Sequence, residues 1–264
     1  MELHIIQVNL FGTFGLHTAD QRAVQLTSKK GQVLLTRLAL AQERQVSRER
    51  LAALLWGSIG PAQARNSLRQ LLFEIRRQLA GCGGDILRIE RDAVSLDARR
   101  TDIDAARFQA LTRRGDYQSL IDAAACYTGD LLENIAAEGE PFEPWLVGQR
   151  EHLRQGAIRS LRTLLDEHRR RGCVDEAIET AGRLLMLEPL DEATHRALMS
   201  LYAEQRRWGA MDRQYHICSA MVRRHLNTEP ENATAHLHRQ LHGRRRTGLL
   251  DFREPASWPA GQSA

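Results

Sequence analysis

The 264 residues, 42% hydrophobic and 27% charged, suit two modest domains that each bury a core. No apolar run nears the ~20 residues of a membrane span, and Met1 leads into LHIIQVNLFG without a basic n-region, so a cytoplasmic protein with no membrane partner is expected. The net charge of +4 hides an asymmetry, since residues 1–100 carry 15 Lys/Arg against 9 Asp/Glu and the remainder 22 against 24.

From Leu3 to Phe14 apolar and polar residues roughly alternate (Leu3, Ile5, Val8, Leu10), and Ala23–Leu26 offers a second short strand, together a small sheet ahead of the helices. Thr27 or Ser28 caps a predicted helix through Ala41, with Lys29 and Lys30 at its start and a stripe of Val33, Leu34, the Arg37 stem, Leu38 and Ala41. Gln45-Val46 connects to a helix capped by Ser47 and ending at Trp56-Gly57. A turn around Pro61 then opens a longer helix, Ala62–Ala80. At 100° per residue, Ala64, Leu68, Leu71, Leu72, Ile75 and Leu79 share one narrow stripe. Gln63, Asn66, Arg69, Gln70, Phe73 and Arg77 occupy the opposite face, flanked by Arg65 and Arg76. An apolar back with a front of Arg, Asn and Gln suits a DNA major groove, because those side chains carry the donors and forks that base edges and phosphates match. Gly81-Cys82-Gly83-Gly84 is a flexible stop, and DILRIERDAVSLD reads as a hairpin turning at Asp92.

Sheet, three helices and hairpin make a winged helix-turn-helix. The segments Leu10-Phe11-Gly12, Lys30–Leu40, Val46-Ser47 with Leu51, Leu54-Leu55-Trp56-Gly57, Ala64–Leu68 and Ile75-Arg76-Arg77 with Leu79 resemble the OmpR-type winged helix of the Streptomyces antibiotic regulatory protein (SARP) family. The resemblance implies that the Ala62–Ala80 helix lies in the major groove and that the wing follows adjacent phosphates. Gln63, Arg65, Asn66, Arg69, Gln70, Phe73 and Arg77 are then the base or groove candidates. Asn66 suits adenine, and Phe73 either meets a thymine methyl or tucks against the sheet. Lys30, Arg48, Arg76, Arg88 and Arg91 are candidates for backbone contact, which fixes register without reading sequence. Arg76 has packing through its stem as an alternative. The loop of Trp56, Ser58, Ile59 and Pro61 corresponds to one that in the family touches RNA polymerase.

From Asp102 the periodicity is helical to about Leu241: a helix with Phe108 and Leu111, a break at Gly115-Asp116, a helix over Tyr117–Tyr127, a connector with Pro141 and Pro144, and long helices from Trp145 to Arg171. The phrases LEPLDEATHRAL and TEPENATAHLHRQL place their Glu-Pro pairs 41 positions apart, near the length of a stacked helical repeat. This half, most specifically Arg213-Gln214-Tyr215 through Arg223-Arg224 and Asn227-Thr228-Glu229-Pro230, resembles the bacterial transcriptional activator domain of SARP-type regulators. The expected fold is mainly α with a small β component: a winged helix-turn-helix over 1–100, an all-α tetratricopeptide-like domain over 101–242, and a disordered tail over 243–264.

No G-x-x-x-x-G-K-[ST], G-x-S-x-G or H-E-x-x-H is present, so no enzyme and no cofactor are expected. Cys82, Cys126, Cys173 and Cys218 form no CxxC pair, which indicates neither a disulfide framework nor a zinc finger. Asp102/Asp104 and Asp191/Glu192 read as helix caps. His238 and His242 stand i,i+4, a spacing open to a shared metal, but exposed helix histidines are the default and no metal is expected. The reading is therefore a transcriptional activator that binds double-stranded DNA at promoter direct repeats as a homodimer and recruits RNA polymerase holoenzyme, with a protein or small-molecule effector on the helical repeats left open. The alternative is a protein-binding adaptor or ligand-sensing regulator with weak or conditional DNA binding.

Overall fold

The computed structural model describes residues 5–41, 45–80 and 86–247. Leu3, the Gly81–Gly84 stop with Cys82, and the tail beyond Thr247 lie outside the described residues. The chain divides into two compact units, Met1–Glu167 and His168–Ala264.

In the first unit, β1 (Ile6–Asn9) is the middle strand of a three-stranded sheet, pairing antiparallel with β2 (Gly15–His17) and parallel with β6 (Thr101–Ile103). The buried phase is Ile6, Val8 and Leu10, whereas Ile5 is 43% exposed, so the alternation read through Ile5 is out of step. Ala23–Leu26 is not a strand; Ala23 makes only an isolated bridge to His17. The antiparallel partner of β1 is Gly15–His17 instead, because the left-handed turn at Gly12 (φ 71°) reverses the chain soon after β1 ends. Ser28 caps α1 (Lys29–Ala39) by accepting from the Gly31 N–H, and Ser47 caps α2 (Arg48–Trp56) by accepting from Arg50. Gly60 precedes α3 (Pro61–Leu79), so Pro61 is not in a turn but at the first helical position, where its missing N–H costs no bond.

The connector at Val46-Ser47 is itself a short strand, β3. It pairs with β5 (Ala93–Leu96), which pairs with β4 (Leu87–Ile89), giving the sheet order β3-β5-β4. A tight turn at Arg91-Asp92, closed by Glu90 N–H donating to the Ala93 carbonyl at 2.9 Å, forms the wing tip.

Beyond β6 come α4 (Asp104–Arg114), which Gly115 ends in the left-handed conformation (φ 65°), and α5 (Tyr117–Cys126), capped by Asp116. The following connector returns to β1: Leu132 N–H donates to the Leu10 carbonyl and Gly12 N–H to the Asp130 carbonyl. Asp104 does not cap its own helix with its side chain. It is buried and accepts from the backbone N–H groups of Leu10 and Phe11 at 2.9–3.0 Å. Phe11, Phe108 and Tyr127 meet edge-on or tilted at 4.9–5.8 Å between centroids and fill the space that this contact closes. The last helix to begin in this unit, α6, runs Glu143–Arg171.

The second unit holds α7 (Val174–Leu187), α8 (Glu192–Glu204), α9 (Trp208–Leu226) and α10 (Asn232–Thr247). The two Glu-Pro phrases occupy the α7–α8 and α9–α10 turns. Glu192 caps a different helix from the expected one: its carboxylate accepts from Glu231 N–H and the Thr234 hydroxyl at the start of α10. At the α9 end, Asn227 is left-handed (φ 54°) and Arg223 grips Glu229 at 2.7–3.1 Å. Met199, Ala203, Met211 and Leu241 form a buried cluster against Tyr202, Trp208, Tyr215 and Leu237. Residues 243–247, expected in a disordered tail, continue α10.

Candidate nucleic-acid interface

The face of α3 follows from its burial. Ala64, Leu68, Leu71, Leu72, Ile75 and Leu79 are its buried residues, none more than 5% exposed, and α3 packs on α2 through this side. Each of the leucine and isoleucine side chains stabilises the fold by roughly 1.5–3 kcal/mol, so the helix cannot rotate to present any other face. Gln63, Arg65, Asn66, Arg69, Gln70, Phe73, Arg76 and Arg77 are all exposed.

Arg65, Arg69, Phe73 and Arg77 stand four residues apart and form one ridge, about 18 Å from end to end at 1.5 Å per residue. Gln63, Asn66 and Gln70 line the neighbouring ridge. Arg69 donates to the Asn66 side-chain carbonyl at 3.3 Å, which orients the amide and leaves the rest of the guanidinium fork outward. Phe73 does not tuck against the sheet: it is 67% exposed within this polar face. An aromatic side chain left in water at the centre of a cationic ridge is unfavourable for the isolated fold, and contact with an apolar group such as a thymine methyl removes that cost.

Glu74 is a further member of this face, beyond the residues expected from sequence. It is exposed on the same face, and its projection about 20° from Gln63 on a helical wheel was the available signal. A carboxylate there suits the exocyclic amine of cytosine.

Around the helix, the backbone candidates divide. Arg91 is exposed at the wing tip. Arg48 is half-buried, and its N–H donates to the Asp92 carbonyl at 2.9 Å, tying the start of α2 to the wing turn. Arg88 pairs with Asp97 at 2.9 Å, and this contact holds the Asp97 carboxyl below its usual range. Lys30 is engaged inside the unit, 5.1 Å over the Trp56 ring and 3.9 Å from Glu140. Trp56 is accordingly half-buried under a cation. Ser58 and Pro61 are exposed and Ile59 is intermediate, so the Trp56–Pro61 stretch presents its middle to solvent and its aromatic end to Lys30.

The chain is similar to known proteins. A model of the bacterial transcriptional activator domain matches residues 96–242, more than half of the chain. The regulatory protein AfsR of Streptomyces griseus is 26% identical over 223 residues, covering 81% of this chain and 22% of AfsR. Among solved structures, Mycobacterium tuberculosis EmbR in complex with a low-affinity phosphopeptide aligns with a TM-score of 0.65 at 18% identity, over 92% of this chain and 66% of EmbR. The chain thus spans about a fifth of AfsR and just under two thirds of EmbR. The EmbR likeness carries the fold, a winged N-terminal region followed by helices, and no described helix is long and apolar enough to cross a membrane. The activator-domain match carries the family: this chain belongs to the bacterial transcriptional activator domain family and is a SARP-type transcriptional regulator.

Proposed function

We propose that the chain activates transcription by binding promoter DNA sequence-specifically, with α3 in the major groove and the Arg91-Asp92 turn against neighbouring phosphates. The observation that carries this reading is the ridge Arg65, Arg69, Phe73 and Arg77, exposed on a helix whose other side is fixed in the core. Arg69, Gln70 and Arg77 are assigned to bases or phosphates, Asn66 to adenine, Phe73 to a thymine methyl and Glu74 to cytosine. Lys30, already shared by Trp56 and Glu140, is the weakest of the proposed phosphate contacts.

On this reading residues 1–100 read DNA and residues 101–242 supply dimer contacts or take regulatory input. Two copies bind direct repeats head to tail, an arrangement without two-fold symmetry. The stretch with exposed Ser58 and Pro61 and half-buried Ile59 then meets RNA polymerase.

The test is enrichment of duplexes from a random pool by the purified protein, run beside Arg69→Ala/Arg77→Ala. A repeated motif enriched by the parent and lost in the variant is the expected result, and its repeat spacing reports the protomer arrangement. A folded parent that enriches no motif overturns the reading.

A further inference from the structure

In the second unit, His238 and His242 project from the same side of α10, and Asp212 of α9 meets both. His238 Nε2 lies 3.1 Å and His242 Nε2 2.6 Å from one carboxylate oxygen, Asp212 Oδ1. One ligand atom from each of the three residues lies within 4.8 Å of the other two. The cluster sits partly out of solvent, with side-chain exposures of 16% for His238, 26% for Asp212 and 40% for His242.

We propose that Asp212, His238 and His242 form a binding site for a divalent metal ion of the zinc class. Two imidazole nitrogens and a carboxylate oxygen are a three-ligand set that such borderline cations prefer, with a fourth position left for water. An i,i+4 histidine pair is the spacing that points two imidazoles at one ion from a single helix. Tetrahedral zinc with bonds of about 2.0–2.1 Å needs ligand atoms about 3.4 Å apart. The two imidazole-to-carboxylate separations, 3.1 and 2.6 Å, lie within about 1 Å of that value.

The surroundings prepare the ligands. Tyr215 stacks flat on His238, with centroids 3.9 Å apart and planes 4° from parallel, which fixes the plane of that imidazole. The His242 ring stands at 90° to it with centroids 4.6 Å apart, and the two Nε2 atoms converge on the same Asp212 oxygen. Two further side chains stand nearby. Arg245 Nη1 lies 3.8 Å from Asp212 Oδ2 with half its side chain in solvent, where its charge competes with a bound cation. His216 presents its edge to His238 at 6.3 Å between centroids.

The experiment is a calorimetric titration of Zn²⁺ into the chelator-stripped full chain, with Co²⁺ as a spectroscopic probe of coordination. One equivalent is expected to bind. His238→Ala, His242→Ala and Asp212→Asn should each weaken binding at least tenfold, whereas His236→Ala, a histidine on the same helix outside the cluster, should leave it unchanged. Arg245→Ala should tighten it by removing the competing charge. Zn²⁺ should raise the melting temperature of the parent but not of Asp212→Asn, the near-isosteric variant that decides the matter if a histidine truncation unfolds α10. The proposal is overturned if the parent binds no equivalent, if folded Asp212→Asn binds as tightly as the parent, or if Cys173→Ser abolishes binding instead.

Discussion

Asp104 is a buried carboxylate that ties distant parts of the chain together, accepting the N–H groups of Leu10 and Phe11, which lie 94 and 93 residues away in sequence. Desolvation raises its pKa, and the hydrogen bonds from Phe11, Leu10 and Ala105 only partly offset that. The folded state therefore holds a proton that the unfolded chain has already released, so Asp104's own contribution to stability falls as pH rises from about 4 through its folded pKa. Removing the side chain is worse than leaving it charged, because two buried N–H donors lose their acceptor. Asp104→Ala should destabilise the first unit by about 3 kcal/mol, read as a lower denaturant midpoint with unchanged slope. His195 works in the opposite direction. Burial holds it below the usual imidazole range, and its two contacts, with Pro189 O at 3.0 Å and Gln214 Nε2 at 2.6 Å, fit a neutral ring that donates through Nε2 and accepts through Nδ1. Between its folded pKa and about 6.5 the unfolded chain binds more protons, so stability is lost as pH falls through that window. Denaturant midpoints at pH 7.5 and 5.5 should show this loss in the parent and a smaller one in His195→Gln.

Among elements, α3 was the most legible, since all six residues of its predicted apolar stripe are its buried set. A long amphipathic helix with one dominant partner repeats its period several times, and each turn votes for the same phase. The first sheet was less legible because three- and four-residue strands give too few alternations to fix a phase. Its third strand, Thr101–Ile103, is recruited from far along the chain by parallel pairing that no local pattern announces. Within the candidate interface, the exposed positions of α3 could be read from the wheel, but the Lys30–Trp56–Glu140 contact could not, since Glu140 comes from a connector 110 residues away. The same limit hid Asp212 from its two histidines. That connector depends on Arg150, whose guanidinium donates to the carbonyls of Leu131, Leu132 and Ile135 at 2.5–3.1 Å. Charge-assisted bonds to a segment with little secondary structure of its own are what keep its backbone satisfied. Arg150→Ala should cost about 2–3 kcal/mol and open residues 128–142 to limited proteolysis under conditions where the parent resists cleavage.

Across the whole molecule, the charge is partitioned: the first hundred residues carry the cationic excess and the rest a slight anionic one. DNA affinity should fall steeply with salt, and each phosphate contact removed should flatten the log–log slope by about 0.9. Arg91→Ala at the wing tip should flatten it by about one such step while leaving the enriched motif unaltered, measured by fluorescence anisotropy between 50 and 200 mM salt. Sequence preference and phosphate attraction are thereby separated in one protein. The first sheet also carries a consequence for how the chain is made. β1 takes its parallel partner from Thr101–Ile103, and Leu10 and Gly12 just beyond it bond to Asp130–Glu133, so Ile6, Val8 and Leu10 emerge from the ribosome with only the short β2 as an early partner. At translation rates of about 5–20 residues per second the wait for the last of these partners is roughly 6–25 s, during which a partly covered apolar strand is a docking point for chaperones and for other nascent copies.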